Sequence, residues 1–286
     1  MALYHDAPAE RPGNRILMDW PLIAGLLVLG AATGFAAGLL GIGGGMLMVP
    51  FLTFIFTLRG FPEQHLVHMA IATSLATILF TSISSVRAHH QRGAVLWHVV
   101  KVLAPGILLG SLIGAQIAGH LPTFWISLIF AVFVGFSSLQ MLRDRKPRPS
   151  RELPRPAGMF AVGNGIGFVS SFVGAGGGFI SVPFMVWSNV KIHNAVATSA
   201  ALGFPIAAAG TIGYVLAGHG EPGLPAGTLG FVYLPALLTI ALASVVTAPL
   251  GARVAHALDT RPLKRIFALL LAALAGYMLY RGIKAA

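Results

Sequence analysis

The chain has no cysteine, which excludes disulfides, thiolate-held metals and thiol redox chemistry from any account of its activity. Charge is almost as scarce. Only 9% of the 286 residues are Asp, Glu, Lys or Arg, against about 25% in an ordinary soluble domain. Hydrophobic residues reach 56% and the mean hydropathy is +0.81, so the chain reads as a polytopic membrane protein. The runs 20–58, 64–86, 102–142, 156–190, 192–220 and 222–252 carry no charged side chain, and several hold two segments each. The last segment, 262–282, has a shorter uncharged centre, but Lys264 and Arg265 can snorkel to the interface and let it cross. The polar first nineteen residues precede a stretch far longer than a signal peptide's apolar core, so the first run is expected to stay in the mature protein.

What the chain does have is a repeated block. Leu39-Leu-Gly-Ile-Gly-Gly-Gly-Met-Leu-Met-Val-Pro-Phe51 returns as Phe172-Val-Gly-Ala-Gly-Gly-Gly-Phe-Ile-Ser-Val-Pro-Phe184. Two further matches follow in the same order. His68-Met-Ala-Ile-Ala-Thr-Ser74 is echoed by His193-Asn-Ala-Val-Ala-Thr-Ser199, and Gly114-Ala-Gln-Ile-Ala118 by Gly251-Ala-Arg-Val-Ala255. The expected division is a polar N-terminal segment (1–21), a first transmembrane repeat (22–142), a basic proline-rich linker (143–156), a second repeat (157–282) and a short tail (283–286). The fold expected is all-α. Each half holds five hydrophobic pieces, at 22–42, 45–58, 66–86, 95–118 and 123–142 and then at 157–175, 177–190, 193–217, 230–252 and 262–282. An odd number makes consecutive halves enter from opposite faces, which predicts inverted repeats.

The net charge of +11 fits the positive-inside bias of a membrane protein better than nucleic-acid binding, and no nucleic-acid partner is expected. With the linker in the cytoplasm, fourteen Lys and Arg lie inside and five outside, leaving both termini external. The expected site of residence is a bacterial inner membrane, with lipid as the surrounding partner.

Three adjacent glycines inside an apolar run need a reason, because each costs a helix about 1 kcal/mol relative to alanine. In lipid, an unwound backbone is tolerated only where protein buries it or a cavity adjoins it. The two triplets, Gly43, Gly44 and Gly45 with Gly176, Gly177 and Gly178, are therefore candidate substrate-binding positions, each opening a helix whose N-terminus favours an anion. The alternative is that they only allow close helix packing. Thr73, Ser74, Thr198 and Ser199 are candidate hydroxyl donors, although such side chains also satisfy carbonyls within membrane helices. His68 and His193 occupy equivalent places and could hydrogen-bond an anion or titrate with it; an interfacial or capping role is the other reading. His89 and His90 read as part of a basic interfacial loop. All eight carboxylates fall in loops or termini, leaving nothing acidic in the membrane to hold a cation. No nucleotide motif, metal-ligand cluster or catalytic constellation is present, so neither a cofactor nor an enzymatic activity is expected.

The two glycine blocks ending in Val-Pro-Phe, each followed by His-x-x-x-Ala-Thr-Ser, resemble the sulfite exporter TauE/SafE family, also called TSUP transporters, over about 22–282. The resemblance implies transport of sulfite or a small organosulfonate such as sulfoacetate. A related thiosulfate-uptake branch uses cysteines, which this chain lacks. Export also suits the energetics, because an interior-negative potential contributes about 2.3 kcal/mol per charge per 100 mV to a departing anion. The alternatives are proton-coupled import through His68 or His193 and, from another class, an intramembrane enzyme.

Overall fold

The structure, a computed structural model, describes residues 19–40, 44–143, 152–254 and 261–285. Gly43 and most of the linker lie outside these. Ten helices are described: α1 Trp20–Leu40, α2 Gly45–Leu58, α3 Leu66–His90, α4 Trp97–Gly119, α5 Thr123–Arg143, α6 Pro156–Val173, α7 Gly178–Trp187, α8 Ile192–Ala217, α9 Leu234–Val254 and α10 Arg261–Lys284. Eight are long and apolar enough to cross a membrane. The fold is that of an all-α polytopic membrane protein, as expected. The two others, α2 with 14 residues and α7 with 10, rise only about 21 and 15 Å, short of a hydrocarbon core of about 30 Å.

Helix is the natural form here because lipid offers backbone groups no partners and each span must satisfy its own. The outward faces are apolar, with Val28, Ile83, Val132, Phe136, Leu242 and Val246 among the exposed side chains. Trp20, Trp97, Trp125 and Trp187 are exposed at or near helix ends, where interfacial anchors belong. At one end the Arg59 guanidinium binds the Asp19 carboxylate (2.8 Å), tying the end of α2 to the start of α1 and holding that carboxyl below its ordinary pKa.

Packing pairs helices that precede the linker with helices that follow it. The first helix of each half lies against the fourth of the other, α1 on α9 and α6 on α4. The third helices α3 and α8 pair, as do the fifth, α5 and α10. Both long seams are glycine contacts: a Cβ on Gly38 would lie 1.9 Å from the Ala248 carbonyl oxygen, and one on Gly110 2.0 Å from that of Asn164. Helix axes this close gain dispersion contact, the main attraction available between spans in lipid.

Two expectations need correction. The segment expected to begin at 230 begins at Leu234, because Thr228–Leu229 and Val232–Tyr233 form a two-stranded antiparallel hairpin turning at Gly230 (φ 53°). The hairpin seats Phe231 and Tyr233, each at most 2% exposed, against Phe56, Phe61, His68 and Tyr214. Likewise, α3 does not stop at 86 but continues through Arg87, His89 and His90. The chain turns only at Gly93 (φ 66°), so these histidines belong to the last turn of a helix and His89 is buried.

Candidate functional site

The two breaks share one geometry. Gly44 and Gly177 sit in the left-handed region (φ 66° and 75°) as N-caps of α2 and α7, where a side chain would be strained. Each cap carbonyl accepts the first hydrogen bonds of its helix: Gly44 from Leu47 and Met48, Gly177 from Ile180 and Ser181. Neither helix has a side-chain cap. A proline follows at the same offset in both, Pro50 and Pro183. The breaks also touch, since a Cβ on Gly45 would lie 1.9 Å from the Gly174 carbonyl oxygen. Ser74 donates to that same oxygen (2.9 Å) and so clamps the second break to α3.

Beside this junction lies a small pocket, about 290 Å³ of atom-free space with the open solvent at its mouth included, between α1, α3, α8 and the second break. Thr81, Ser82 and Ser85 of α3 and Ser199 of α8 line its polar side. Ala37, Ile78, Ala200 and Gly203 form the apolar side, and Gly176 brings backbone to its edge. Most of the hydroxyls have partners. Thr81 shares a hydrogen bond with Ser244 (2.9 Å), Ser82 donates to the Leu79 carbonyl (3.0 Å), and Ser181 donates to Ser199 (2.8 Å). Ser85 differs. It is 4% exposed, and among the described residues its Oγ has no hydrogen-bond partner. A buried hydroxyl without a partner carries a desolvation cost of about 1–3 kcal/mol, which a bound acceptor would relieve.

The candidates named from sequence separate into groups. Gly176 and Ser199 line the pocket. Gly44, Gly45, Gly177 and Gly178 shape the breaks beside it, and Gly43 lies outside the described residues. Thr73 accepts from the Tyr233 N–H (3.1 Å) and Thr198 from the Leu96 N–H (3.0 Å), each holding the residue that leads into a helix of the opposite half. His68 is buried, with its Nε2 2.9 Å from the Leu121 carbonyl oxygen and its ring stacked on Phe231; His193 is exposed. Seventeen residues of helix, about 25 Å, separate His68 from Ser85. Thr81, Ser82 and Ser85 were not singled out from sequence. The signal was present, for Thr73, Thr77, Thr81 and Ser85 recur every four residues on one face of α3.

Eight spanning helices with two short ones that begin at glycine breaks, and a mainly apolar pocket with a few hydroxyls at one break, suit a membrane transporter. Comparison with known proteins makes this specific. Residues 26–278 match the Sulfite exporter TauE/SafE family, and the chain belongs to it. It is 37% identical to a probable membrane transporter protein of Haemophilus influenzae, over 86% of this chain and 93% of that one. It is 29% identical to the probable membrane transporter protein YunE of Bacillus subtilis, over 90% and 97%. A probable membrane transporter protein of Methanocaldococcus jannaschii is 24% identical over 89% and 94%. No solved structure gives a significant match.

Proposed function

We propose that this transporter exports a small sulfur-containing anion, sulfite or an organosulfonate, from the cytoplasm across a bacterial inner membrane. The observation that carries the reading is the pocket at the second glycine break, where hydroxyls and backbone converge around the unpartnered Ser85. The Ser85 hydroxyl suits a solute that offers it an acceptor, and the N-terminus of α7, which has no side-chain cap, adds about half a positive charge close by. Among the described residues the carboxylates lie in loops, which leaves the spans without an acidic cation site. The inverted-repeat reading is supported by the exchange of partners between halves, α1 with α9 and α6 with α4. Orientation rests on the Lys and Arg bias, which puts the α3 end bearing Arg87 and Arg92 in the cytoplasm and turns the pocket's end of the bundle inward.

The test is flux from proteoliposomes holding purified protein. Sulfite or a small sulfonate should leave unchanged in chemistry, and faster when the lumen is made electrically negative. Collapse of the potential should abolish that acceleration. Flux that follows the pH gradient and ignores voltage would favour proton-coupled movement instead, and exclusive transport of cations would defeat the anion reading.

A further inference from the structure

The pocket beside the second break is neutral. Its described lining consists of hydroxyls, small apolar side chains and glycine backbone, with no cationic group among them. The charged and titratable groups near this end are Arg87, His89, His90 and Arg92 after the pocket on α3 and its following loop, His98 and Lys101 at the start of α4, Arg253 on α9, and Lys191 and His193 at the start of α8. None of them lines the pocket, and Arg92 is engaged with the Ala252 carbonyl oxygen (3.2 Å).

Such a site treats anions of different charge unequally. The cost of removing an ion from water grows with the square of its charge, about fourfold from one charge to two, while the neutral donors on offer stay the same. A helix N-terminus worth about half a charge can offset much of a monoanion's loss of hydration but little of a dianion's. The apolar side formed by Ala37, Ile78 and Ala200 also gives a short alkyl group somewhere to lie opposite the α3 hydroxyls.

We infer that the pocket selects a singly charged oxyanion, an alkyl sulfonate or hydrogen sulfite, and rejects doubly charged sulfite and sulfate, with the Ser85 hydroxyl as a donor that recognises it. This rests on the reading of the pocket as the transport site.

Three probes of fixed or variable charge test it in proteoliposomes at constant voltage. Methanesulfonate is a monoanion and sulfate a dianion throughout the neutral range, whereas sulfite changes from one to the other within it. Methanesulfonate flux should stay level with pH. Sulfite flux should fall as pH rises, approaching about tenfold per unit once the dianion predominates, and sulfate should be neither carried nor inhibitory. Ser85→Ala should weaken apparent affinity for methanesulfonate about tenfold, with melting temperature near wild type and recovery in Ser85→Thr.

Sulfite flux that rises with pH, or sulfate that competes as well as methanesulfonate, would overturn the inference while leaving anion transport intact. Methanesulfonate and sulfite responding to pH in parallel would also overturn it, since a group on the protein would then be titrating rather than the substrate. No flux of any anion through monodisperse protein would remove the transport reading and this inference together.

Discussion

Thr73 of α3 accepts a hydrogen bond from the backbone N–H of Tyr233, 160 residues away, at 3.1 Å. Its counterpart Thr198 of α8 does the same for Leu96 at 3.0 Å. In both cases the donor lies immediately before the fourth helix of the other half, α9 or α4. A fully buried threonine on each central helix thus fixes where a partner helix begins.

Replacing either threonine by the near-isosteric valine should therefore destabilise the protein by about 1–3 kcal/mol, because a backbone N–H loses its acceptor while the packing volume is kept. Thr73→Ser and Thr198→Ser should retain most of the stability. Melting of purified protein in detergent measures this, and a wild-type transition for both valine variants would show that the two bonds carry no net energy.

The breaks give a graded prediction. Gly44→Ala places a side chain at φ 66°, with its Cβ 2.5 Å from the Thr33 carbonyl oxygen, whereas Gly177→Ala meets the mobile end of Ile206 at 2.4 Å. Both pay about 1–2 kcal/mol for the left-handed backbone. Only Gly44→Ala must also displace a main chain. Gly44→Ala should express and fold worse than Gly177→Ala, while Gly44→Val and Gly177→Val should both lose transport. Well-folded valine variants with normal flux would remove these glycines from the mechanism.

Glycines elsewhere separate packing from helix propensity. Gly25→Ala meets nothing within 4 Å and should be neutral or stabilising by up to about 1 kcal/mol. Gly38→Ala drives its Cβ to 1.9 Å from the Ala248 carbonyl oxygen and should separate α1 from α9. Thermal stability of the two variants should move in opposite directions; equal behaviour would mean the seam is looser than the structure describes.

The cysteine-free background makes orientation simple to test. Ala226→Cys, exposed in the loop before the hairpin, should react with a membrane-impermeant thiol reagent in intact cells, and Ser150→Cys in the linker should not. Ala226 suits the purpose better than Gly220, whose φ of 79° would strain a cysteine. Reversed labelling would invert the assigned topology.

Much of this was legible in the chain itself. The number and order of the helices follow from apolar runs, and the breaks from glycine triplets that no helix would otherwise accommodate. The hairpin at 228–233 was not legible, because Leu229, Phe231, Val232 and Tyr233 are as apolar as the helix that follows and only Gly230 interrupts them. Nor could the repeat distinguish Thr73 and Thr198, which hold backbone, from Ser85, which does not. All are small hydroxyls on apolar helices, and what separates them is the partner that folding supplies.

The division has a physical basis. Sequence alone determined that the chain lies in a membrane as helices, since low charge and long apolar runs leave no other way to satisfy the backbone in lipid, and it determined where those helices break. Tertiary structure decided which residues meet. Across 100 to 160 residues Ser74 donates to a backbone carbonyl and Thr198 and Thr73 accept from backbone N–H groups, the Phe231 ring covers His68, and His193 is left exposed. Only with those partners assigned does Ser85 emerge as the unpartnered hydroxyl that also lines the pocket, because a missing hydrogen bond belongs to a packed arrangement and to no single position in a sequence.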